Sequence, residues 1–557
     1  FADDKIPNLQ LVCAAAFLSG SSFGQITDLG GPMSWKMSLK SATNLPSKKM
    51  KSFDMNVVEA QDLVNDLDKS IPYRFGYKFD TDYTLDNSGS WENLADGGRV
   101  WRLSIISNDA ITMNLLLEDV MIPEGASLYL HDAENTNRVG AYTARNNRED
   151  GLLGTELMRG DHMIVEYYEP ANLIGQGSIT IANVIHGYRT LTNVQDNLAK
   201  ALNSSGDCNI DVRCPLGDLW NNQIRSVAMI VVGGSGICTG ALINNTCNDG
   251  TPYFLTANHC LGGSTGSWAF RFNWEVAAGD ASLSCATTTN TAGAYNSSSN
   301  WDQTANGATV LSSSGSSDFA LLEIDNMTVT DASNWGCYYA GWNNVDTDGT
   351  ISSAVGIHHP SGDIKKICEE QDSPYHQSVG GAAVWFIDDW DNGVTEPGSS
   401  GSPLFDQEGR IIGQLYGGVA ACSGTNDNNQ YDFYGRFGVS WGLGASAYLD
   451  PNACDGSATT NYGYDPTQAT ASLDKLGHNL FTVSPNPSNG VFSLDLGTTS
   501  LKGTIVSISD MTGRVILTQS INSTKTSLNL SNADNGAYIV RVISSEESQV
   551  ETIVINK

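Results

Sequence analysis

Apolar and polar residues alternate in short runs along the first third of the chain. RVWRLSIIS (99–107), ASLYLHDA (126–133), HMIVEYYEP (162–170) and GSITIANVIHGYR (177–189) are separated by Gly, Asn and Asp turn residues. A period of two marks half-buried strands, and several such strands in succession predict a β-sandwich for 27–203. The stretch 204–455 again shows short strands at regular spacing, as expected for β-barrels. Residues 456–479 are polar and rich in turn formers, which reads as a linker. From 480 to 557 the alternation is clean, in VFSLDL, TIVSIS, RVILTQ, AYIVRV and ETIVIN. This predicts a small antiparallel β domain with no chemistry of its own. The fold class is therefore all-β. Ahead of these regions, LQLVCAAAFLSGSSFGQ (10–26) has an apolar centre followed by small residues, although Asp3 and Asp4 stand where positive charge is usual. Residues 1–26 are read as a signal-like leader.

Composition narrows the function classes. The 557 residues suggest three or four domains, and the 57 glycines suit a turn-rich β protein. A net charge of −31 argues against nucleic acid as a partner. The longest apolar runs fall far short of the ~18 residues of a membrane-spanning helix. Of eleven cysteines, Cys13 stands apart, and the other ten all lie between 204 and 455 without CxxC spacing. An even, confined set of this kind predicts disulfides and an oxidising compartment.

The stretch VTEPGSSGSPLFD (394–406) places Ser399, Ser400 and Ser402 among glycines and prolines. A serine attacks a carbonyl only when a base takes its proton and N–H groups stabilise the oxyanion. A glycine two residues before the nucleophile can turn its N–H into the site beside that of the serine. Ser400 has Gly398 there, whereas Ser399 has Pro397, which carries no N–H. Ser402 is followed directly by Pro403 at the entry to an apolar strand. Ser400 is thus the candidate nucleophile, with Ser399 and Ser402 shaping the turn. His358, His359 and His376 lie among turn residues and read as structural or exposed. His259 ends the apolar strand YFLTANHC beside Cys260, where it would be rigidly held as a general base. Asp318, at the head of SSDFALLEI (316–324), is the candidate orienting carboxylate. The chain order His259, Asp318, Ser400 is one of the known triad orders.

GDCNIDVRCP, CTGALINNT, YFLTANHC, SDFALLEI, GIHHP, GVTEPGSSGSP, GQLYGG and YGR occur in sequence across 204–455, and the set resembles the lysyl endopeptidase family of chymotrypsin-like serine proteases. The resemblance implies a two-barrel protease domain with the triad His259, Asp318 and Ser400, and with the Gly398 and Ser400 amides as oxyanion donors. It implies no cofactor. The trypsin-type position for a pocket carboxylate, six residues before the nucleophile, is Val394. The family pattern instead puts the acid before the YGR segment, at Asp432, where charge-assisted hydrogen bonds would receive a lysine ammonium. QLYGG (414–418) is expected to pair with substrate backbone, through Tyr416, Gly417 and Gly418. Tyr416 replaces a histidine found in some relatives. The acidic VDTDGT (345–350) lacks the remaining ligands of a calcium loop, so no metal is expected in the chemistry.

The same resemblance implies the bridges Cys208–Cys422, Cys214–Cys285 and Cys238–Cys260. Family barrel topology adds Cys247–Cys454 and Cys337–Cys368. Lysine is scarce in 204–455: seven bases, of which only Lys365 and Lys366 are lysines, stand against 27 acids, a net −20. A protease that cuts after lysine gains lifetime from such scarcity. Residues 27–203 are then a pro-region, and Lys200 is the expected maturation site. SPNPSNGVFSLDL, SDMTGRVI, NGAYIVRV and the terminal TIVINK resemble the C-terminal sorting domain of type IX secretion, which implies that secretion machinery as a partner and passage across an outer membrane. The expected product is a monomeric secreted endopeptidase acting on protein or peptide substrates with lysine. The alternatives are a trypsin-like Lys/Arg enzyme, a glutamyl endopeptidase, and a catalytically silent surface adhesin.

Overall fold

The computed structural model describes residues 30–37, 39, 42–189, 205–276, 285–286, 303–468, 481–496, 505–510, 515–521, 523–543 and 548–557. The expected leader and the expected cleavage site at Lys200 lie outside the described residues. The chain divides into two compact units, Phe1–Pro466 and Thr467–Lys557.

Strands dominate both. In residues 27–203 one sheet runs in the order Ser47–Lys49, Arg99–Ile106, His162–Glu169, Ser127–His131, Arg138–Tyr142. A second runs Met158–Arg159, Thr112–Met121, Ser178–Gly187, Gly76–Thr84. Trp101, Leu103, Met113, Leu115, Leu128, Val165 and Ile181 fill one core drawn from both sheets. The alternation in the sequence predicted this sandwich, because each strand turns every second side chain inward.

The next two sheets form the predicted barrel region. The first follows the order Thr304–Asn306, Ala269–Phe272, Val227–Val232, Gly236–Leu242, Tyr253–Ala257, Phe319–Ile324, Ala308–Ser314. The second includes Lys366–Glu370, Ala354–His358, Pro403–Asp406, Ile411–Gly418, Asp432–Arg436 and Ala382–Ile387 in that order. The expected boundary at 455 falls short. Thr460–Asn461 pairs with Trp342–Asn343, and Tyr464 and Tyr339 exchange backbone hydrogen bonds, so the first part of the expected linker is built into this unit.

The N-terminal sandwich does not stand apart from the barrels. Tyr73, Phe75, Leu157 and Ile185 share a core with Met229, Val231, Ile237 and Trp274. Buried Glu156 of the N-terminal sandwich faces buried Arg271 of the first barrel and also accepts from Thr304 Oγ1 at 2.6 Å. A buried charge of this kind is tolerated only when it is paired. In the C-terminal unit, Thr482–Ser484, Val491–Asp495 and Lys525–Asn529 form one sheet. Val515–Ser520, Ile505–Asp510, Gly536–Ile543 and Ser548–Ile555 form the other. No helix among the described residues is long and apolar enough to cross a membrane.

Bridges join Cys208 to Cys422, Cys214 to Cys285, Cys238 to Cys260 and Cys247 to Cys454. The expected Cys337–Cys368 bridge is absent, and both thiols are free and buried. The reason is topological. Cys337 packs into the core of the first barrel with Phe272 and Trp335, while Cys368 packs into the second with Trp385, Trp390 and Tyr434. Burial pushes the Cys337 thiol up to about 12 and the Cys368 thiol well above its usual value, so neither ionises near neutrality. A thiol alkylating reagent should therefore leave both unmodified in the folded protein and label both once the unreduced protein is denatured, as read by peptide mass spectrometry.

Candidate functional site

The candidate catalytic side chains converge between the two barrels. Strand Tyr253–Ala257 ends in a tight turn, Asn258–Cys260, which the Cys238–Cys260 bridge ties to the neighbouring strand. His259 lies in this turn. Its Nδ1 is 2.7 Å from Asp318 Oδ2, and its backbone N–H donates to Asp318 Oδ1 at 2.9 Å. Asp318 precedes strand Phe319–Ile324 with φ +50°, a left-handed conformation that Asp tolerates better than most residues. Its carbonyl accepts from Asn258 N–H at 2.9 Å, so the carboxylate is held from both ends.

Ser400 is fully buried in the turn before strand Pro403–Asp406. Gly398 has φ +97°, and a Cβ there would lie 3.0 Å from the His359 carbonyl and 3.1 Å from Ser361 N, so only glycine fits. Thr239 fixes this turn from the first barrel. Its N–H donates to the Ser400 carbonyl at 2.8 Å and its hydroxyl to the Gly398 carbonyl at 2.9 Å. The two peptide groups so held are those that follow Gly398 and Ser400, whose N–H groups donate to the Glu396 carbonyl at 3.0 Å and the Leu415 carbonyl at 2.8 Å. Ser399 Oγ meets His358 Nδ1 at 2.8 Å, and the Ser402 N–H donates to the Ser399 carbonyl at 2.9 Å, which fits the turn-shaping roles expected of both. His358 is fully buried, and burial drives it down to about 3, so it stays neutral at physiological pH. His359 is likewise buried and displaced well below its usual value by burial.

Asp432 opens strand Asp432–Arg436 and is fully buried. Its Oδ2 accepts from Trp390 Nε1 at 2.9 Å and from Thr395 Oγ1 at 2.7 Å. Burial raises its pKa above the usual aspartate value, an effect that an adjacent ammonium opposes. That ammonium belongs to the protein itself. Lys69 Nζ lies 2.6 Å from Asp432 Oδ1 and 2.8 Å from Thr395 Oγ1, with the side chain only 4% exposed. The same residue's carbonyl oxygen accepts a hydrogen bond from Ser400 Oγ. His259 Nε2 is buried with no hydrogen-bond partner among the described residues, and the serine hydroxyl is turned to Lys69 rather than to the histidine. Val394 is buried in the second-barrel core.

Tyr416 sits between His259 and Phe433, with ring centroids 6.0 Å and 5.2 Å away. Gly417 and Gly418 pair with Phe433 and Asp432. Gly418 has φ +147°, and a Cβ on it would come within 2.0 Å of Asp432 Oδ1. Gly418→Ala should therefore displace the carboxylate and lower binding of a lysyl ligand by at least tenfold in a titration against the processed protein.

The residues that sequence reading missed are Lys69, Thr395, Trp390 and Thr239. Thr395 lies one position from the trypsin-type site and could have been suspected. Nothing local marks Lys69, which sits in DLDKSIP (66–72). Lys365 and Lys366 are both fully buried, on Glu275 and on Asp211 and Asp363, so the few lysines of the barrels are also inaccessible. Among the described residues no group of three or more His, Cys, Asp or Glu converges on a metal-sized site.

Residues 202–435 match the family model for the lysyl endopeptidase C-terminal domain. Residues 482–556 match the model for a secretion-system C-terminal sorting domain, which directs the protein across the outer membrane to the medium or the cell surface. A lysyl endopeptidase of Pseudomonas aeruginosa is 30% identical over 307 residues, 50% of this chain and 61% of the relative. The chain thus spans less than two thirds of that relative's length. Among solved structures, an inactive form of Rv3671c from M. tuberculosis is 18% identical with a TM-score of 0.25, covering 43% of this chain and 95% of that one. A Glu endopeptidase structure is 20% identical with a TM-score of 0.25, covering 43% and 96%.

Proposed function

With the lysyl endopeptidase match of residues 202–435 as premise, we propose that this chain is the precursor of a secreted serine endopeptidase that cleaves after lysine. One observation carries the reading. A lysine of the chain itself has its ammonium on Asp432 and its carbonyl oxygen at Ser400, the relation that a P1 residue needs. A glutamate side chain would meet a buried carboxylate there and be repelled, which disfavours the glutamyl alternative.

In this reading Ser400 Oγ rotates to His259 Nε2, gives up its proton and attacks the carbonyl carbon. Asp318 holds the tautomer with the proton on Nδ1 and stabilises the imidazolium. The Gly398 and Ser400 amides receive the oxyanion. The imidazolium then protonates the leaving amine, and water hydrolyses the acyl-enzyme. Type IX machinery is the proposed export partner, on the strength of the sorting-domain match.

The test is a digest of a denatured protein mixture by the processed enzyme, with mass spectrometry of new C-termini and Ser400→Ala as control. An excess of lysine ends supports the proposal. Equal lysine and arginine ends would make the preference trypsin-like, and glutamate ends would displace Asp432 from the base of the pocket. No cleavage and no labelling of Ser400 by a fluorophosphonate would leave a binding module.

A further inference from the structure

Resting on that reading, we propose that the Lys69–Ser70 peptide bond is a self-processing site, cut within one molecule and before any other lysyl bond. Lys69 fills the Asp432 pocket, with its ammonium on Asp432 and Thr395. While it does so, the same molecule can offer no other lysine to Ser400, Lys200 included. Release of the pocket must therefore come first.

Both sides of the bond are anchored. On the acyl side the ammonium is bound to Asp432 and Thr395 and the carbonyl to Ser400. On the leaving side Tyr73–Arg74 adds an antiparallel strand to Gly236–Leu242, with Arg74 opposite Gly236 and Tyr73 opposite Ile237. Phe75 N–H extends the pairing to the Ser235 carbonyl at 2.9 Å. Strand addition of this kind is how an extended peptide is held by a sheet edge. Arg74 Nε donates to Asp62 Oδ1 at 2.7 Å, and Arg189 Nη2 lies 2.9 Å from Asp62 Oδ2, so the two ends of the loop are clamped together. Positioning within one molecule replaces a bimolecular encounter by an intramolecular one.

The geometry also makes the cut slow. Helix Met55–Asn65 runs on into turns, with Asp68 N–H on the Asn65 carbonyl and Ile71 N–H on the Asp68 carbonyl. Residues 66–68 thus fold back instead of lying extended along Tyr416–Gly418, and the serine hydroxyl still points at the Lys69 oxygen. Reaction requires that hydroxyl to swing to His259 Nε2. Oγ then bonds to the Lys69 carbonyl carbon, its proton passes to His259, and the C–N bond to Ser70 breaks as His259 protonates the Ser70 nitrogen. One water releases Lys69 as a carboxylate and restores Ser400.

The experiment follows purified full-length precursor by intact mass and N-terminal sequencing, at two concentrations a hundredfold apart. Hydrolysis of a lysyl peptide is measured in the same samples. The expected result is a new terminus at Ser70 that appears before any other, with the same half-life at both concentrations. It is absent from Ser400→Ala and at least tenfold slower in Lys69→Gln. Hydrolysis of the lysyl peptide with residues 69–70 intact would overturn the proposal and leave the endopeptidase reading standing. A half-life that shortens in proportion to concentration would also overturn it, by making the cut intermolecular. Failure to cut either the peptide or the 69–70 bond would remove the endopeptidase reading and this proposal with it.

Discussion

Asp318→Asn should lower kcat for a lysyl peptide by roughly 10⁴-fold with little change in fold or KM. Asp318 accepts two hydrogen bonds, Oδ1 from the His259 backbone and Oδ2 from its ring. An asparagine can satisfy only one of them as acceptor. With its oxygen on the backbone N–H, its NH₂ faces Nδ1 and forces the proton onto Nε2. That nitrogen then cannot take the proton of Ser400. Ser400→Ala should cost more, roughly 10⁶-fold, because the proposed nucleophile itself is lost. The measurement is steady-state hydrolysis by processed enzyme, with circular dichroism to show the fold intact. A fall of less than tenfold in both variants would remove Ser400 and Asp318 from the chemistry.

Asp432→Asn should lower kcat/KM for lysyl peptides by roughly 10²–10⁴-fold, the consequence of leaving one member of a buried ion pair alone, about 3–5 kcal/mol. Most of the loss should fall on KM, since the pocket lies away from the reacting bond. The same carboxylate sets a pH dependence whose sign is determinate. Only ionised Asp432 attracts an ammonium, and ionisation is present above its pKa and lost as pH falls through it. Burial has raised that pKa, so lysyl binding should begin to fail at higher pH than an ordinary aspartate would allow. KM measured against pH, with Asp432→Asn as the comparison, reads this directly: the variant should lose the acidic rise.

Much of this was legible from residue order because it is local. Strand alternation marks which side chains turn inward, whatever they meet there. The glycine at 398 and the proline at 397 singled out Ser400 through backbone chemistry alone, and His259 was marked by a strand end beside a cysteine. Other features were not local. Thr239 acts on Ser400 across 161 positions of chain, and a threonine inside an apolar strand carries no mark of it. The Cys337–Cys368 expectation failed for the same reason: four cysteines were left after the family bridges, these two were paired on family topology, and only packing put them in separate cores.

Lys69 is the clearest division between the two levels. Asp432 is a surface-type residue in a polar stretch, and Lys69 is one of several lysines in a region with no catalytic pattern. A buried charge must find its counter-charge, but residue order cannot say which of many it will be, because partners are chosen by the path of the chain in space. The sequence by itself determined the all-β class, the placing of the sorting domain and the candidate nucleophile, base and carboxylate, since each rests on spacing or neighbouring residues. Only the tertiary structure decided that the pocket is closed by the protein's own lysine, since Lys69 and Asp432 meet across 363 positions and nothing shorter than the whole fold brings them together.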